Sequence, residues 1–594
     1  MSPLSLSPLV ESAARGGRRV TRRVARRPPP ARPPRGDRRP RLRLLALVAV
    51  AVLAFATGVL VGRDPGGSER ALVADFAAAW AHGDYDRMYA LLAPSAQRRT
   101  SRARLERTYE RAARTLTLRE IRPGRPGRPR DGVVALPVQM RTRVFGTLGG
   151  RLAVPVTEEA ATRGIDWRAA LVFPGLERGE TLSRRTTLPP RAPILARDGT
   201  PLATRDGRLT ELGAIAADFT GRLGPVPPER RDELAAQGVP ADALVGISGL
   251  QLTYDARLTG LPGGTLLAGT RIVGRAEPVA ARPLRASIDP EVQRAGSRAL
   301  GGRYGGVTAL DPGTGELLAM AGAAATAPQP PGSVFKIITL AAALEAGTAK
   351  PSDTFPVQTS ATLEGVELAN AHGEACGGTL RQAFADSCNS VFAPLGAELG
   401  AKRLVAAAER FGFNGPPPFA GAGRSTLPPA REIGDDLAVG STAIGQGKVL
   451  ATTVAMASVA AAIAEGGRMR APTALRGDRS PARRVTSARV ARTVRSQMRT
   501  VVKSGTGTAA AVPGLAVAGK TGTAELRTTV PIAPPDADPG LPPPPDDPTD
   551  TDAWFAGFAP VRKARVAVAV LLVGAGAGGA SAAPVAREVL TAGG

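Results

Sequence analysis

The chain has 594 residues and a formal net charge of +26, with 77 Lys and Arg against 51 Asp and Glu. This length allows two to four domains. The two Cys and two His form no cluster with metal-ligand spacing, which argues against a zinc or other transition-metal site. We therefore expect neither a metal nor a cofactor.

The positive charge is concentrated at the N-terminus. Residues 1–43 hold 13 Arg, are rich in Pro and predict a disordered cytoplasmic tail. Leu44 to Gly62 then runs for 19 residues without a charge, about enough to span a bilayer core. Because the Arg-rich side of a span stays in the cytoplasm, residues from 63 onward are predicted to lie outside a single-pass plasma-membrane anchor. A cleaved signal peptide is the alternative, since Ala54-Phe55-Ala56 resembles a small-x-small site.

Nucleic-acid binding is the first alternative that so basic a chain raises. The Arg cluster directly precedes the membrane segment, however, and an Arg excess on one side of a span is accounted for by topology. We therefore expect no nucleic-acid partner.

Residues 66–187 predict a compact α+β unit. Helical and strand-like patterns are predicted, in order, at Glu69–Leu92, Ser101–Leu116, Gly132–Met140, Gly150–Val156 and Ile165–Phe173. No catalytic group stands out there. We interpret the aromatic residues of this unit as core, namely Trp80, Tyr85, Tyr89 and Trp167.

Residues 188–290 form a turn-rich series of short apolar runs, including Gly249-Leu250-Gln251, with no acid–base pair. From residue 291 the patterns become longer. They predict a hairpin around Asp311–Gly315, Ala-rich buried helices, strands near 520, 554–558 and 564–573, and a closing helix. A Pro- and Asp-rich stretch, 530–552, predicts a long loop. The last part is therefore expected to be a sheet flanked by helices.

The most informative stretch opens a helix at Ser333, with Lys336 one turn later and an apolar run up to Gly347. Positions three apart share a helix face, so the ammonium can sit beside the hydroxyl. Only 7 of the 77 basic residues are Lys, and a Lys inside an apolar run suggests chemistry that Arg cannot perform. Burial lowers a lysine pKa and can leave an amine that accepts a proton.

Two further motifs follow Ser333-x-x-Lys336 in order: Ser387-x-Asn389 and Lys520-Thr521-Gly522. Lys503-Ser504-Gly505 mimics the third motif, but it follows a predicted helix and opens a Gly-rich loop, whereas Lys520 follows a strand. The three motifs together are specific although each alone is weak.

With these motifs the chain resembles class B penicillin-binding proteins, which are membrane-anchored peptidoglycan D,D-transpeptidases. The likeness covers most of residues 66–594 and implies a multidomain α+β fold. After the membrane helix it implies a MecA-type, cystatin-like domain at 66–187, a pedestal or dimerisation domain at 188–290, and a penicillin-binding transpeptidase domain at 291–594. One departure, Arg191-Ala192 where the family has Arg-Gly, falls in the pedestal.

The resemblance also implies roles for the motif residues. Ser333 would be the nucleophile, Lys336 its base and Ser387 a proton relay to the leaving amine. Asn389 would bind the peptide backbone of the substrate. The terminal carboxylate would meet Lys520 with the hydroxyls of Thr521 and Thr523, while Gly522 leaves room for the peptide. The backbone N–H groups of Ser333 and Thr523 would form the oxyanion hole.

The implied partners are stem peptides ending in D-Ala-D-Ala, β-lactams and a membrane-embedded glycan polymerase. A β-lactamase or a β-lactam sensor of the same fold is the alternative. Residues 400–440 hold Glu409 and Glu432 but no Glu-x-x-Leu-Asn loop, and the tail does not look like a sensor output domain. A bifunctional glycosyltransferase is disfavoured, because 66–187 is too short and no paired-Glu motif is recognised. Cys376 and Cys388 form a disulfide or remain two free thiols; the sequence leaves both open.

Overall fold

The computed structural model describes residues 66–417, 422–525 and 550–594. The predicted tail (1–43), the predicted span (44–62) and most of the stretch 530–552 lie outside these ranges. Within them, no helix combines the length and the apolar character needed to cross a bilayer.

The first part of the described chain packs four helices on a four-stranded sheet. The helices are α1 Gly67–His82, α2 Tyr85–Ala90, α3 Pro94–Arg99 and α4 Arg102–Leu116. The antiparallel strands pair in chain order: β1 Leu118–Pro123, β2 Val133–Thr142, β3 Thr147–Glu159 and β4 Thr162–Ile165. The predicted aromatic core is confirmed, with Trp80 and Trp167 buried and Tyr85 and Tyr89 packed at its margin.

The strand predicted at Ile165–Phe173 is wrong. Only Thr162–Ile165 is a strand, and a 3₁₀ turn follows at Ala169–Val172. Leu171, Val172 and Phe173 are all buried, whereas a strand alternates its side chains between two faces. The segment therefore wraps over the core.

The middle part consists of short elements around a buried ion cluster. Its strands are β5 Leu182–Thr187, β6 Ile194–Leu195, β7 Pro201–Ala203, β8 Leu223–Pro225, β9 Leu244–Gly246, β10 Gly263–Ala268, β11 Arg271–Ala276 and β12 Leu284–Arg285. Its helices are α5 Glu211–Ile215, α6 Ala217–Thr220, α7 Arg231–Gln237, α8 Gly249–Thr253 and α9 Asp255–Thr259. The strands form the sheets β11-β10-β5, β12-β6-β7 and β8-β9.

The buried carboxylate of Asp255 joins several of these elements. It pairs with Arg191 at 2.9 Å and with Arg230 at 3.1 Å, and it accepts a hydrogen bond from the Gly246 N–H. Arg191 also donates to the side chain of Gln251 at 2.8 Å, which gives the Gly249-Leu250-Gln251 motif a structural role.

The last part is a five-stranded antiparallel sheet between two helical layers. The described residues of this part also form short strands outside the main sheet. In chain order, all the strands are β13 Gly305–Leu310, β14 Leu317–Ala321, β15 Thr354–Gln358, β16 Ser360–Leu363, β17 Val366–Ala369, β18 Cys376–Thr379, β19 Arg468–Met469, β20 Arg483–Arg484, β21 Ala518–Glu525, β22 Thr551–Ala559 and β23 Val566–Leu572. The main sheet has the order β14-β13-β23-β22-β21, so β21 is an edge strand.

Ten helices of the described chain belong to this part. They are α10 Pro290–Leu300, α11 Lys336–Ala346, α12 Leu380–Ala385, α13 Asn389–Leu399, α14 Ala401–Arg410, α15 Ala430–Ile433, α16 Asp436–Ala443, α17 Thr453–Ala464, α18 Ala488–Ser504 and α19 Ala582–Gly593. Helices α10 and α19 cover one face, and α17 packs on the other beside α11. This confirms the predicted mixed α+β fold with a sheet flanked by helices.

Candidate active site

Ser333 lies in a 3₁₀ turn, Gly332–Phe335, that leads directly into α11. Gly332 has φ +51°, and a Cβ there would lie 2.4 Å from the Thr523 carbonyl oxygen on β21. Glycine at this position therefore allows the turn to touch the edge strand. Ser333 itself is partly exposed, whereas Val334 and Phe335 are fully buried. The hydroxyl thus sits at the surface end of a buried helix.

Lys336 is fully buried one turn further on. Its Nζ donates to the Ser387 carbonyl oxygen at 2.7 Å and to Asn389 Oδ1 at 2.6 Å, and it lies 5.6 Å from the centre of the Phe392 ring. A neutral amine has two hydrogens and one lone pair. The two acceptors take both hydrogens, which leaves the lone pair free to accept a proton.

Lys520, the other fully buried lysine, reaches the same serine from β21. Its Nζ donates to Ser387 Oγ at 2.7 Å and to the Thr521 carbonyl oxygen at 3.0 Å. Ser387 therefore bridges the two lysines, with its carbonyl on Lys336 and its hydroxyl on Lys520. It holds φ +66°, a left-handed conformation that non-glycine residues rarely adopt and that recurs at functional sites.

The two lysines differ in basicity. Burial, with the positive charge of Lys520 as a second cause, lowers the pKa of Lys336 well below its usual value. Burial also lowers the pKa of Lys520, to about 7, but the Asp386 carboxylate opposes this shift. The pair therefore supports a neutral Lys336 beside a Lys520 that keeps its proton longer.

The remaining residues of the third motif line β21. A Cβ on Gly522 would lie 2.8 Å from the Pro331 carbonyl oxygen, so this position faces the Ser333 turn. The Thr521 hydroxyl lies 2.5 Å from that of Thr506, and the Thr523 hydroxyl accepts a hydrogen bond from the Gly578 N–H at 3.3 Å. All eight predicted site residues thus lie on the Ser333 turn, α11, the α12–α13 connection, the first residue of α13 or β21.

Asn370 is a supporting residue that sequence reasoning missed. It is buried, and its side-chain NH₂ donates to the carbonyl oxygens of Gln358 (2.8 Å) and Glu374 (2.9 Å). Its Oδ1 accepts from the Ser390 N–H at 2.8 Å, next to Asn389. The preceding carbonyl, Ala369 O, accepts from Asn389 Nδ2 at 2.8 Å. Asn370 therefore holds the end of β17, whose Ala369 carbonyl orients Asn389. It belongs to no motif, so no sequence pattern indicates it.

The mimic of the third motif also contributes, through a different residue. Lys503 is exposed at the end of α18, which supports the choice of Lys520. In the loop that follows, Thr506 donates its N–H to the Ala385 carbonyl oxygen at 3.1 Å and contacts the Thr521 hydroxyl. This loop therefore joins the second and third motifs.

A disulfide joins Cys376, at the start of β18, to Cys388, which directly precedes α13. Of the two alternatives left open by the sequence, the structure contains the bonded one. Cys388 lies between Ser387 and Asn389, so the bond fixes the second motif to β18.

No set of three or more His, Cys, Asp or Glu residues is placed to hold a metal ion in the part of the chain that the structure describes. The two glutamates considered as activators of water, Glu409 and Glu432, are both exposed.

Comparisons with known proteins agree with this geometry. Residues 305–591 match the penicillin-binding protein transpeptidase domain. Peptidoglycan D,D-transpeptidase PbpA of Mycobacterium tuberculosis is 34% identical over 376 residues, covering 52% of this chain and 71% of the relative. Penicillin-binding protein PbpB of Mycolicibacterium smegmatis is 28% identical over 452 residues, covering 63% and 67%. The crystal structure of PBPA from M. tuberculosis aligns with a TM-score of 0.51 at 28% identity, covering 68% of this chain and 99% of that one. The chain belongs to the penicillin-binding protein family and carries its transpeptidase domain.

Proposed function

We propose that the chain is a peptidoglycan D,D-transpeptidase that cross-links stem peptides through an acyl-enzyme on Ser333. Family membership supports the reaction class. The observation that carries the assignment of residues is the arrangement of two buried lysines on either side of Ser387, next to the Ser333 turn. Lys336 has an available lone pair, which acylation requires. Lys520 has the Asp386 carboxylate in its surroundings, which favours the charged form that binding a carboxylate requires.

In the proposed first step, Ser333 Oγ attacks the carbonyl carbon of the penultimate D-Ala while Lys336 takes the hydroxyl proton. The backbone N–H groups of Ser333 and Thr523 stabilise the oxyanion. The C–N bond then breaks, and the proton passes from Lys336 through the Ser387 hydroxyl to the departing amine of D-Ala. The serine ester remains.

In the second step the amine of a neighbouring stem peptide attacks the ester, gives up a proton and restores the Ser333 hydroxyl. Lys520, with Thr521 and Thr523, binds the terminal carboxylate of the donor before D-Ala leaves. Asn389 and the edge of β21 at Gly522 hold the peptide backbone. A β-lactam, which carries a similar carboxylate, acylates Ser333 and leaves slowly.

We also propose the finer architecture: a membrane helix at 44–62, a MecA-type, cystatin-like domain at 66–187, a pedestal at 188–290 and the transpeptidase domain from 291. The Arg excess before residue 44 supports a cytoplasmic N-terminus and an extracytoplasmic site. The partner of such an anchored cross-linking enzyme is proposed to be a membrane-embedded glycan polymerase.

The fate of the acyl group tests the proposal. The full chain in detergent is incubated with a stem peptide ending in D-Ala-D-Ala and a second peptide that supplies a free amine, and the products are identified by mass spectrometry. We expect D-Ala release with formation of the cross-linked dimer, both lost in Ser333→Ala. Release of D-Ala with only the hydrolysed peptide would assign a carboxypeptidase. Fast turnover of penicillin would assign a β-lactamase.

A further inference from the structure

A row of arginines follows β1, remote in sequence from the motifs of the active site. The sequence repeats Arg-Pro-Gly from Arg122, with further arginines at 125, 128 and 130. We call residues 122–130 the Arg-Pro-Gly edge. Arg122, Arg125 and Arg128 are three residues apart, and Arg130 follows two residues later, so the arginines are more regular here than elsewhere in the chain.

Backbone hydrogen bonds hold this edge against β2. The N–H of Gly124 donates to Pro137 O at 2.8 Å, that of Gly127 to Ala135 O at 2.8 Å, and that of Arg130 to Val133 O at 2.9 Å. The N–H groups of every third residue of the edge thus donate to the carbonyl oxygens of every second residue of β2. Because alternate strand residues are about 7 Å apart, the backbone at Arg122, Arg125 and Arg128 advances by about 7 Å per arginine along β2, and Arg130 ends the row.

The arginine side chains on this line are free to bind something else. Arg122, Arg125, Arg128 and Arg130 are all exposed. Arg122 pairs with Glu120 at 2.6 Å, but among the described residues the other three have no ion pair. A guanidinium presents a planar fork of donors that matches phosphate or carboxylate oxygens. The edge therefore offers regularly spaced anion sites.

A groove beside the edge continues the same surface. It has a volume of about 480 Å³ and runs between Arg122 and Arg151, over the backbone of Gly149 and Gly150. Gly149, whose missing side chain would lie near Val138 and Gln139 of the groove, leaves this part of the lining without a side chain. Arg151 is exposed and also lacks an ion pair within the described chain. The groove is thus open, flanked by two positive charges and continuous with the row.

We propose that the Arg-Pro-Gly edge and this groove bind a linear, non-lipid polyanion whose phosphate groups repeat along its chain. A row of exposed charges that follows the length of a strand fits an extended polymer better than a single anionic group. A lipid surface is disfavoured, because none of the exposed large hydrophobic side chains in the described chain lies between residues 118 and 156.

Single-stranded nucleic acid is disfavoured for a different reason. Its binders place aromatic rings between basic residues so that bases can stack. The aromatic residue of this region, Phe145, is buried. The surface has the charges for a phosphate backbone but no exposed ring for bases.

Binding of long-chain inorganic polyphosphate to the full chain in detergent, measured over a range of salt concentrations, tests the proposal. The triple variant Arg125→Gln, Arg128→Gln, Arg130→Gln should raise the Kd about tenfold or more and reduce the slope of log K against log salt by about two to three. The matched control is Arg104→Gln, Arg107→Gln, Arg111→Gln. It removes three exposed arginines from α4 and should change the Kd less than about threefold.

Acylation of Ser333 by penicillin should proceed at the wild-type rate in both triple variants, which shows that they are folded. Arg151→Gln alone should weaken binding, because it removes one wall of the groove. Equal weakening by the two triple variants would mean attraction by net charge alone and overturn the proposal. Failure of the wild type to bind polyphosphate would overturn it as well. So would binding to phosphatidylglycerol vesicles or to single-stranded DNA that is stronger than to polyphosphate and lost in the first triple variant.

Discussion

Lys336 and Lys520 share one serine but differ in the groups around them. Lys336 faces two oxygen acceptors and the Phe392 ring, whereas Lys520 has the Asp386 carboxylate in its surroundings. On α18, which packs beside β21, the basic residues Arg499 and Lys503 are exposed and face away. The protonation of Lys336 and Lys520 therefore depends on the nearby groups just described and not on the basic residues of α18.

Replacing Lys336 by Arg should stop acylation, because a guanidinium keeps its proton and cannot serve as the base. We expect the second-order rate constant with a fluorescent penicillin to fall by about 10²–10⁴-fold, the usual contribution of a general base. Lys503→Arg is the matched control, since this lysine is exposed, and should react normally. A Lys336→Arg variant that reacts nearly as fast as wild type would remove Lys336 from this role.

Replacing Asp386 by Asn should shift the pH dependence of acylation. The Asp386 carboxylate favours the charged form of Lys520, whose pKa is about 7. Loss of the carboxylate should therefore lower this pKa. A charged Lys520 binds the carboxylate of the penicillin. The acylation rate constant should therefore decline as pH rises through about 7 in wild type, and at lower pH in the variant.

Glu374→Gln, which removes an exposed carboxylate that does not act on Lys520, is the control for the Asp386 variant and should leave the profile unchanged. Asp386→Glu should restore the wild-type midpoint at least in part. Identical midpoints in wild type and Asp386→Asn would show that Asp386 does not act on Lys520.

At the scale of elements, Asn370 ties the end of β17 to the start of α13. Asn370→Asp keeps the acceptor for the Ser390 N–H but sets a carboxylate against two carbonyl oxygens. We expect Asn389 to lose its orientation and the acylation step to slow by about 10- to 100-fold, since small misplacements have effects of that size.

The separate kinetic constants distinguish positioning from general damage in Asn370→Asp. The first-order acylation constant should fall more than the affinity for penicillin, and the melting temperature should stay close to that of Asn370→Ser. A variant that loses affinity and acylation in proportion to its loss of folded protein would contradict the positioning role.

Local patterns were sufficient to predict most elements around the site. The hairpin around Asp311–Gly315 and the stop at Gly347 each have their cause within a few residues, and both appear in the structure. Asn370 and Thr506 were missed because the contacts that join them to the motifs, with Ser390 and Thr521, span 20 and 15 residues of sequence. Contacts of that kind depend on how elements meet, which no local period encodes.

The disulfide is also an element-scale feature, since it closes a loop with a sequence separation of 12 that contains α12. Peptide mapping without reduction should give one Cys376–Cys388 cross-linked pair and no alkylated thiol. In the chain-entropy description a loop of this size stabilises the fold by about 3 kcal/mol, so the double Cys→Ser variant should melt at a lower temperature. Recovery of two alkylated thiols from native protein would contradict the bonded state.

At the scale of the whole molecule, the disulfide and the proposed topology agree with each other. Structural disulfides persist in oxidising compartments, and the Arg-rich N-terminus independently supports the proposal that the site lies on the outer side of the membrane. An extracytoplasmic site meets peptidoglycan precursors directly. The family, the fold and the buried lysine pair then support the same chemistry.

The residue that penicillin acylates is the most direct test of this chemistry. The full chain is labelled with a fluorescent penicillin, digested, and the modified peptide is sequenced by mass spectrometry. We predict a single stable adduct on Ser333 that is absent from Ser333→Ala. A persistent adduct on another residue of Ser333→Ala, or no adduct on the folded wild type, would contradict Ser333 as the nucleophile.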